Sequence, residues 1–182
     1  MNNKVLSKIA DGLNRVGCNF GIGGSVLLNF HGLVDKPNDI DILINSKDAE
    51  KVKAFMNTIG DPIELCSKEP FKTESFFGYN VDGVIVEFMG NFKISLENNK
   101  MYEFILDEKA IVDNLVIGNS NIKFTSLEDW FVAYLVMNDP KKRAPLIKKY
   151  FKEKGIKHRE LLKRNLDNNL SDRINEAVKE VL

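Results

Sequence analysis

An α+β or α/β core carrying a helical C-terminal layer is the architecture to expect from this chain. Helix and strand signals alternate up to about residue 125, and only helix signals follow. The bulk composition agrees. Of 182 residues, 43% are hydrophobic and 29% charged, enough apolar material for one domain, or one core with a small appendage.

The elements follow in order. Residues 3–16 place Val5, Ile9, Leu13 and Val16 at helical spacing. Residues 18–22 form a short apolar strand, Gly23-Gly24-Ser25 a turn, and 26–30 the opening of a second short helix. Residues 39–44, DIDILI, alternate and then turn fully apolar, which reads as a strand. Residues 48–59 are helical, with Ser46 as the N-cap. Residues 71–79 and 83–89 read as two strands joined by a turn at 80–83. More strand follows around 103–106, 110–117 and 121–124. Ser126, with Glu128 and Asp129 behind it, starts a helix of Trp130, Phe131, Tyr134 and Leu135 that Asp139-Pro140 ends. Three short helices fit 142–154, 157–168 and 171–181.

Charge and composition exclude several classes. Lys plus Arg is 26 and Asp plus Glu is 26, so the chain is not a bulk polyanion binder. No apolar run approaches about 18 residues, which argues against a membrane span. The N-terminal residues carry no unbroken apolar stretch, which argues against a signal peptide. Cys18 and Cys66 have no CxxC spacing and, with two His, supply a zinc site poorly. They read as small reduced core residues of a cytoplasmic protein. The zero net charge conceals an asymmetry, because segment 141–164 sums to +9 and the remainder to −9.

The informative stretch is 21–44, GIGGSVLLNFHGLVDKPNDIDILI. A strand, a Gly-Gly-Ser turn and a helix put free N–H groups at a helix N-terminus, a site suited to phosphate. Gly23 and Gly24 allow close backbone approach. Ser25 can add a hydroxyl donor or cap the helix. Alternation then puts Asp39 and Asp41 on one face with Leu43, while Ile40, Ile42 and Ile44 face inward. Two carboxylates this close repel, and magnesium, a hard ion that takes carboxylate oxygens, fits between them. The plainer alternative is a turn cap at Asp39 and a solvated Asp41. The glycine turn and the DxD strand together supply phosphate donors beside a metal site, the equipment for nucleotidyl transfer.

Through Gly23-Gly24-Ser25 and Asp39-Ile40-Asp41 the sequence resembles the DNA polymerase β-like nucleotidyltransferase superfamily. It looks most like small bacterial members akin to aminoglycoside and lincosamide nucleotidyltransferases. The resemblance implies an α+β fold, a mixed β-sheet flanked by helices, with 1–125 as nucleotidyltransferase-like core and 126–182 as a helical region packed on it. It also implies a third carboxylate on a later strand. Glu87 in VIVEFMG is the candidate, standing where the family more often has Asp. Asp82 is the rival, although Asp82-Gly83 looks like a hairpin turn. A dinucleotide-binding reading fails, because Val26 replaces the third glycine and Asp41 begins its strand.

The other residues read plainly. His31 and His158 look like packing or solvated residues, and Trp130, Phe131 and Tyr134 look like core. The basic segment is either a solvated face or a positive wall for a triphosphate or RNA. The expected activity is transfer of a nucleoside monophosphate from a nucleoside triphosphate to an acceptor hydroxyl, with release of pyrophosphate. Asp39, Asp41 and Glu87 would hold magnesium, two ions during turnover, and Glu87 could serve as base. Gly23, Gly24 and Ser25 would hold the outer phosphates. The acceptor (small molecule, protein or RNA) and pairing into a homodimer stay open. One alternative is a non-catalytic module of the same fold that senses nucleotide or binds a partner. Another is an RNA-binding helical protein using 141–164.

Overall fold

A computed structural model describes residues 2–166, 168 and 170–182. The chain runs α1 (Asn3–Arg15), β1 (Phe20–Ile22), α2 (Gly24–Phe30), β2 (Ile40–Ile44), α3 (Ala49–Met56), β3 (Asp61–Ile63), β4 (Ser75–Val81) and β5 (Val84–Gly90). Then come β6 (Lys93–Ser95), β7 (Met101–Glu103), β8 (Ile111–Ile117), β9 (Ser120–Thr125), α4 (Leu127–Val136), α5 (Arg143–Lys154), α6 (Arg159–Leu166) and α7 (Asp172–Val181). Seven strands form one mixed sheet in the order β3-β4-β5-β2-β1-β9-β8, and β6 pairs with β7 alone. The expected helix-flanked mixed sheet with a C-terminal helical layer is the architecture found.

β2 sits mid-sheet, antiparallel to β1 and parallel to β5. A central strand covered on both faces needs a continuous apolar run. Ile40, Ile42, Leu43 and Ile44 supply it, none more than 3% exposed. Leu43 therefore departs from expectation. It shares alternation with Asp41 but is buried, lining a small cavity with Phe92 and Phe104. Asp41 alone in β2 keeps partial exposure.

α1 covers the sheet with Val5, Leu6, Ile9, Ala10 and Leu13, and Asn2 caps it by accepting from the Val5 N–H at 3.2 Å. The β4–β5 hairpin turns at Asp82 and Gly83, both at positive φ, with Asn80 Oδ1 accepting from the Gly83 N–H at 2.9 Å. This hairpin delivers Glu87 beside β2.

α4 is the hub of the helical layer, buried from Leu127 through Tyr134. Ser126 caps it as expected, accepting from the Asp129 N–H at 3.0 Å and donating to Asp129 Oδ2 at 2.7 Å. Arg164 Nη2 and Asn165 Nδ2 donate to the same carboxylate at 2.8 and 2.7 Å. Arg164 also meets Asp107 at 3.0 Å, which ties α6 to the loop before β8. Trp130 packs on Phe92 and Phe104, so the hydrophobic core runs across residues 125 and 126. No helix among the described residues is long and apolar enough to cross a membrane.

Several local expectations need correction. Ser46 does not cap α3; it opens a 3-10 turn, Ser46–Asp48, and its hydroxyl donates to Glu74 at 2.8 Å. The first hairpin strand starts at Ser75, because the preceding segment leaves the sheet as a strap that bridges to Ile94 at Phe71. Cys66 lies exposed on that strap, whereas Cys18 is buried. β3 and β6, three residues each, carry too short an apolar pattern to announce themselves. The helix expected over 157–168 spans Arg159–Leu166, and Asp167 lies outside the described residues.

Candidate active site

The site begins where β1 hands over to α2. The Gly23 N–H donates to the Asp41 carbonyl at 2.9 Å, which fixes the turn to β2. Gly24 has φ +55°, and a Cβ there would lie 1.7 Å from Asp41 Oδ2. The Asp41 carboxylate fills the space a side chain at 24 would need. A Cβ at Gly23 would lie 2.1 Å from Trp130 Cζ2, so the indole rests on that glycine. Both glycines are thus required by close packing within the protein itself.

Asp41 and Glu87 stand opposite each other in the β2–β5 register. Residues paired across neighbouring strands present their side chains to the same face. Both line one cleft of ≈ 320 Å³ with Arg143, Trp130, Tyr134 and Phe92. Burial, then the Asp39 and Glu87 charges, push the Asp41 carboxyl up to about 7, against the Arg143 guanidinium and the Ser25 N–H. Burial first and Asp39 second also raise Glu87.

Asp39 immediately precedes β2 and is turned toward α2. The Ser25 hydroxyl, 5% exposed, lies 3.2 Å from Asp39 Oδ1 and 3.3 Å from its carbonyl oxygen. Ser25 therefore positions a carboxylate in this structure and does not cap α2. Among the described residues no group of three or more His, Cys, Asp or Glu side chains is gathered for a metal ion. The donor chemistry still fits magnesium. Asp41 and Glu87 give hard oxygen donors from two fixed strands, and their mutual repulsion is what a divalent cation would relieve. Asp39 is not among the residues that line the cleft; its carboxylate rests on the Ser25 hydroxyl.

Arg143 was not legible in sequence, where it was one of eleven cations in segment 141–164. Lys142 at φ +53° leads into α5. The Arg143 N–H donates to Asp139 Oδ2 at 2.9 Å, and its Nη1 lies 3.5 Å from Asp139 Oδ1. Its guanidinium lies over the Tyr134 ring, 5.2 Å from the centroid. The Asp139–Arg143 spacing of four was the available signal.

The solved structures with this arrangement can now be compared. No protein-family model matches the chain, and no curated protein does. TM1012 of Thermotoga maritima, assigned to the nucleotidyltransferases, superposes with a TM-score of 0.62 at 24% identity, covering 83% of this chain and 92% of that one. ANT(2'')-Ia in complex with adenylyl-2''-tobramycin gives 0.57 at 11%, covering 97% and 96%. The lincomycin-bound lincosamide adenylyltransferase LnuA gives 0.54 at 10%, covering 84% and 97%. The chain has the nucleotidyltransferase fold. At these identities the likeness is one of fold, and it agrees with the resemblance read from the glycine turn and the DxD strand.

Within this fold Asp82, His31, His158 and Phe131 do not line the cleft. Asp82 occupies the hairpin turn, 3.6 Å from Lys8. His31 packs edge-on to Phe30 and Tyr150, its Nε2 3.4 Å from Asp113. His158 lies 3.6 Å from Glu160. Phe131 packs on Phe151 in the core. Trp130 and Tyr134 are buried yet also wall the cleft. The basic segment is divided among tasks. Arg143 enters the cleft, Arg164 pairs with Asp129 and Asp107, and Lys148 and Lys149 pair with Glu180 and Glu153.

Proposed function

We propose that the chain is a metal-dependent nucleotidyltransferase that moves a nucleoside monophosphate from a nucleoside triphosphate to an acceptor hydroxyl. One observation carries this: Asp41 and Glu87 face one cleft from adjacent strands, and Arg143 shares its lining. Asp39, Asp41 and Glu87 would hold magnesium. When bound, the ion supplies charge neutralisation and polarises the phosphoryl oxygens.

The chain's own groups do the rest. In this reading the Gly23-Gly24-Ser25 turn takes the outer phosphates once the Gly23 N–H leaves the Asp41 carbonyl and the Ser25 hydroxyl leaves Asp39. Arg143 balances charge on the transferred phosphoryl group. Trp130 and Tyr134 present aromatic surface to the nucleotide. The acceptor oxygen forms a bond to the α-phosphorus, the α–β phosphoanhydride bond breaks, and pyrophosphate leaves with its electron pair. The hydroxyl proton passes to Glu87 acting as base. Residues 1–125 thus supply the carboxylates, and 126–182 complete the cleft.

The acceptors in the neighbours' names, tobramycin and lincomycin, make a small-molecule hydroxyl one arm of the acceptor screen, beside protein and RNA. Transfer of label from each α-³²P triphosphate with magnesium tests the proposal. Glu87→Gln should keep nucleotide binding and lose about 100-fold or more in transfer. Unchanged transfer in Glu87→Gln would reject its role. The engagement of Asp39 by Ser25 favours one rival, a module that binds nucleotide without turnover. Binding by the wild type with no transfer to any acceptor class would select that rival.

A further inference from the structure

Two aromatic residues of α4 line the cleft, Trp130 and, one turn later, Tyr134. Their polar atoms differ in what they meet. The Trp130 indole N–H donates to Thr125 Oγ1 at 2.9 Å. The Tyr134 hydroxyl, on a residue only 2% exposed, has no hydrogen-bond partner among the described residues. A buried hydroxyl left unpaired costs free energy, so its presence needs a reason. Packing supplies none. The ring makes the contacts, 5.2 Å from the Trp130 ring and 5.2 Å from the Arg143 guanidinium, and a phenylalanine would make them equally well.

The surroundings of this hydroxyl point to a ligand. Tyr102 also carries an unpaired buried hydroxyl, but it does not line the cleft. At Tyr134 burial holds the proton on well above the ordinary range, and the charges that bear on it are, in falling order, Arg143, Asp41, Asp139 and Asp39. A fixed donor thus stands among a carboxylate proposed to hold the metal and the cation proposed to face the transferred phosphoryl group. Asp39, Asp41, Glu87 and the phosphates themselves are all negative, and Arg143 already faces Asp139. A neutral donor adds a bond to a phosphate oxygen without a further charge to balance.

Resting on the transferase reading of the same cleft, we propose that Tyr134 is a substrate-binding residue whose hydroxyl donates to a phosphate oxygen of the bound triphosphate, beside Arg143. Arg143 Nη1 holds Asp139 Oδ1 at 3.5 Å, long against the about 2.7–2.9 Å of a charge-assisted bond. A phosphate group wins the guanidinium from Asp139, and the hydroxyl beneath it is bared as the cation moves.

Calorimetric titration of the full chain with magnesium tests this, using inorganic tripolyphosphate and each of ATP, GTP, CTP and UTP. Tyr134→Phe should weaken tripolyphosphate, and whichever triphosphate binds the wild type, about tenfold or more. Without ligand its melting temperature should equal or exceed that of the wild type, since no bond within the protein is lost. Tyr102→Phe, which removes an unpaired hydroxyl away from the cleft, should keep wild-type affinity. Three results would overturn the proposal: Tyr134→Phe affinities within about twofold of wild type, an equal loss in Tyr102→Phe, or a Tyr134→Phe melting temperature lowered by about 2 °C or more. Triphosphate binding that is indifferent to Tyr134→Phe rejects this contact and leaves the transferase reading standing. A wild type that binds neither tripolyphosphate nor any triphosphate rejects the transferase reading, and the contact with it.

Discussion

Gly24 and Asp41 act as one unit, since the carboxylate sits where a Cβ would be. Gly24→Ala adds the cost of a left-handed backbone, about 1 kcal/mol, to displacement of Asp41. We expect a loss of about 1–3 kcal/mol by urea denaturation, together with the loss of magnesium-dependent nucleotide binding. Asp41 also links stability to pH. Its carboxyl is raised from 3.8 to about 7 in the folded chain, chiefly by burial. The folded state therefore holds a proton that the unfolded state has released, and stability falls as pH rises across that window. The slope is at most about 1.4 kcal/mol per pH unit, less where solvent screens the half-buried group. Without metal, Asp41→Asn should flatten this slope and raise the melting temperature at pH 8 relative to wild type. A pH-stability curve identical to wild type would contradict the assignment. The facing of Asp41 was legible because alternation on a short strand is a strong local signal, whereas Asp39 precedes β2 and escapes that alternation. The Ser25–Asp39 contact was not, because it joins residues fourteen apart whose rotamers depend on packing.

Among the elements, α4 carries the most long-range consequence. Its first turn holds Asp129, buried and bonded by Ser126, Arg164 and Asn165. Removing one partner of a buried ion pair strands the other, at about 3–5 kcal/mol. Arg164→Ala should therefore unfold the chain at markedly lower urea, and an effect below about 1 kcal/mol would show the pair to be solvated. The N-cap and first turn of α4 were plain in sequence, since Ser, Glu and Asp ahead of an apolar run mark a helix start. Arg164 as the partner was hidden in a run of like charges, where spacing says nothing about which cation turns inward. β3 was hidden for another reason. Asp61-Pro62-Ile63 holds a proline that interior strands avoid, and it is tolerated because β3 is an edge.

For the whole molecule, the sheet order does what no local pattern could announce. It places β5 directly against β2 in parallel, so residues 41 and 87 become neighbours across the ladder. The helical layer then closes the cleft with Trp130, Tyr134 and Arg143. The alternation of helix and strand up to residue 125 was sufficient for the architecture; the contribution of α4 and α5 to the cleft required the packed structure. The most direct test is calorimetric titration of ATP, GTP, CTP and UTP, each with and without magnesium, into wild type and the Asp39→Asn/Asp41→Asn double variant. At least one triphosphate should bind only with magnesium, and the double variant should bind it at least about tenfold more weakly, a loss of about 1.4 kcal/mol. A folded wild type that binds none of the four, or a double variant that binds as tightly as wild type, would contradict the assignment of this cleft.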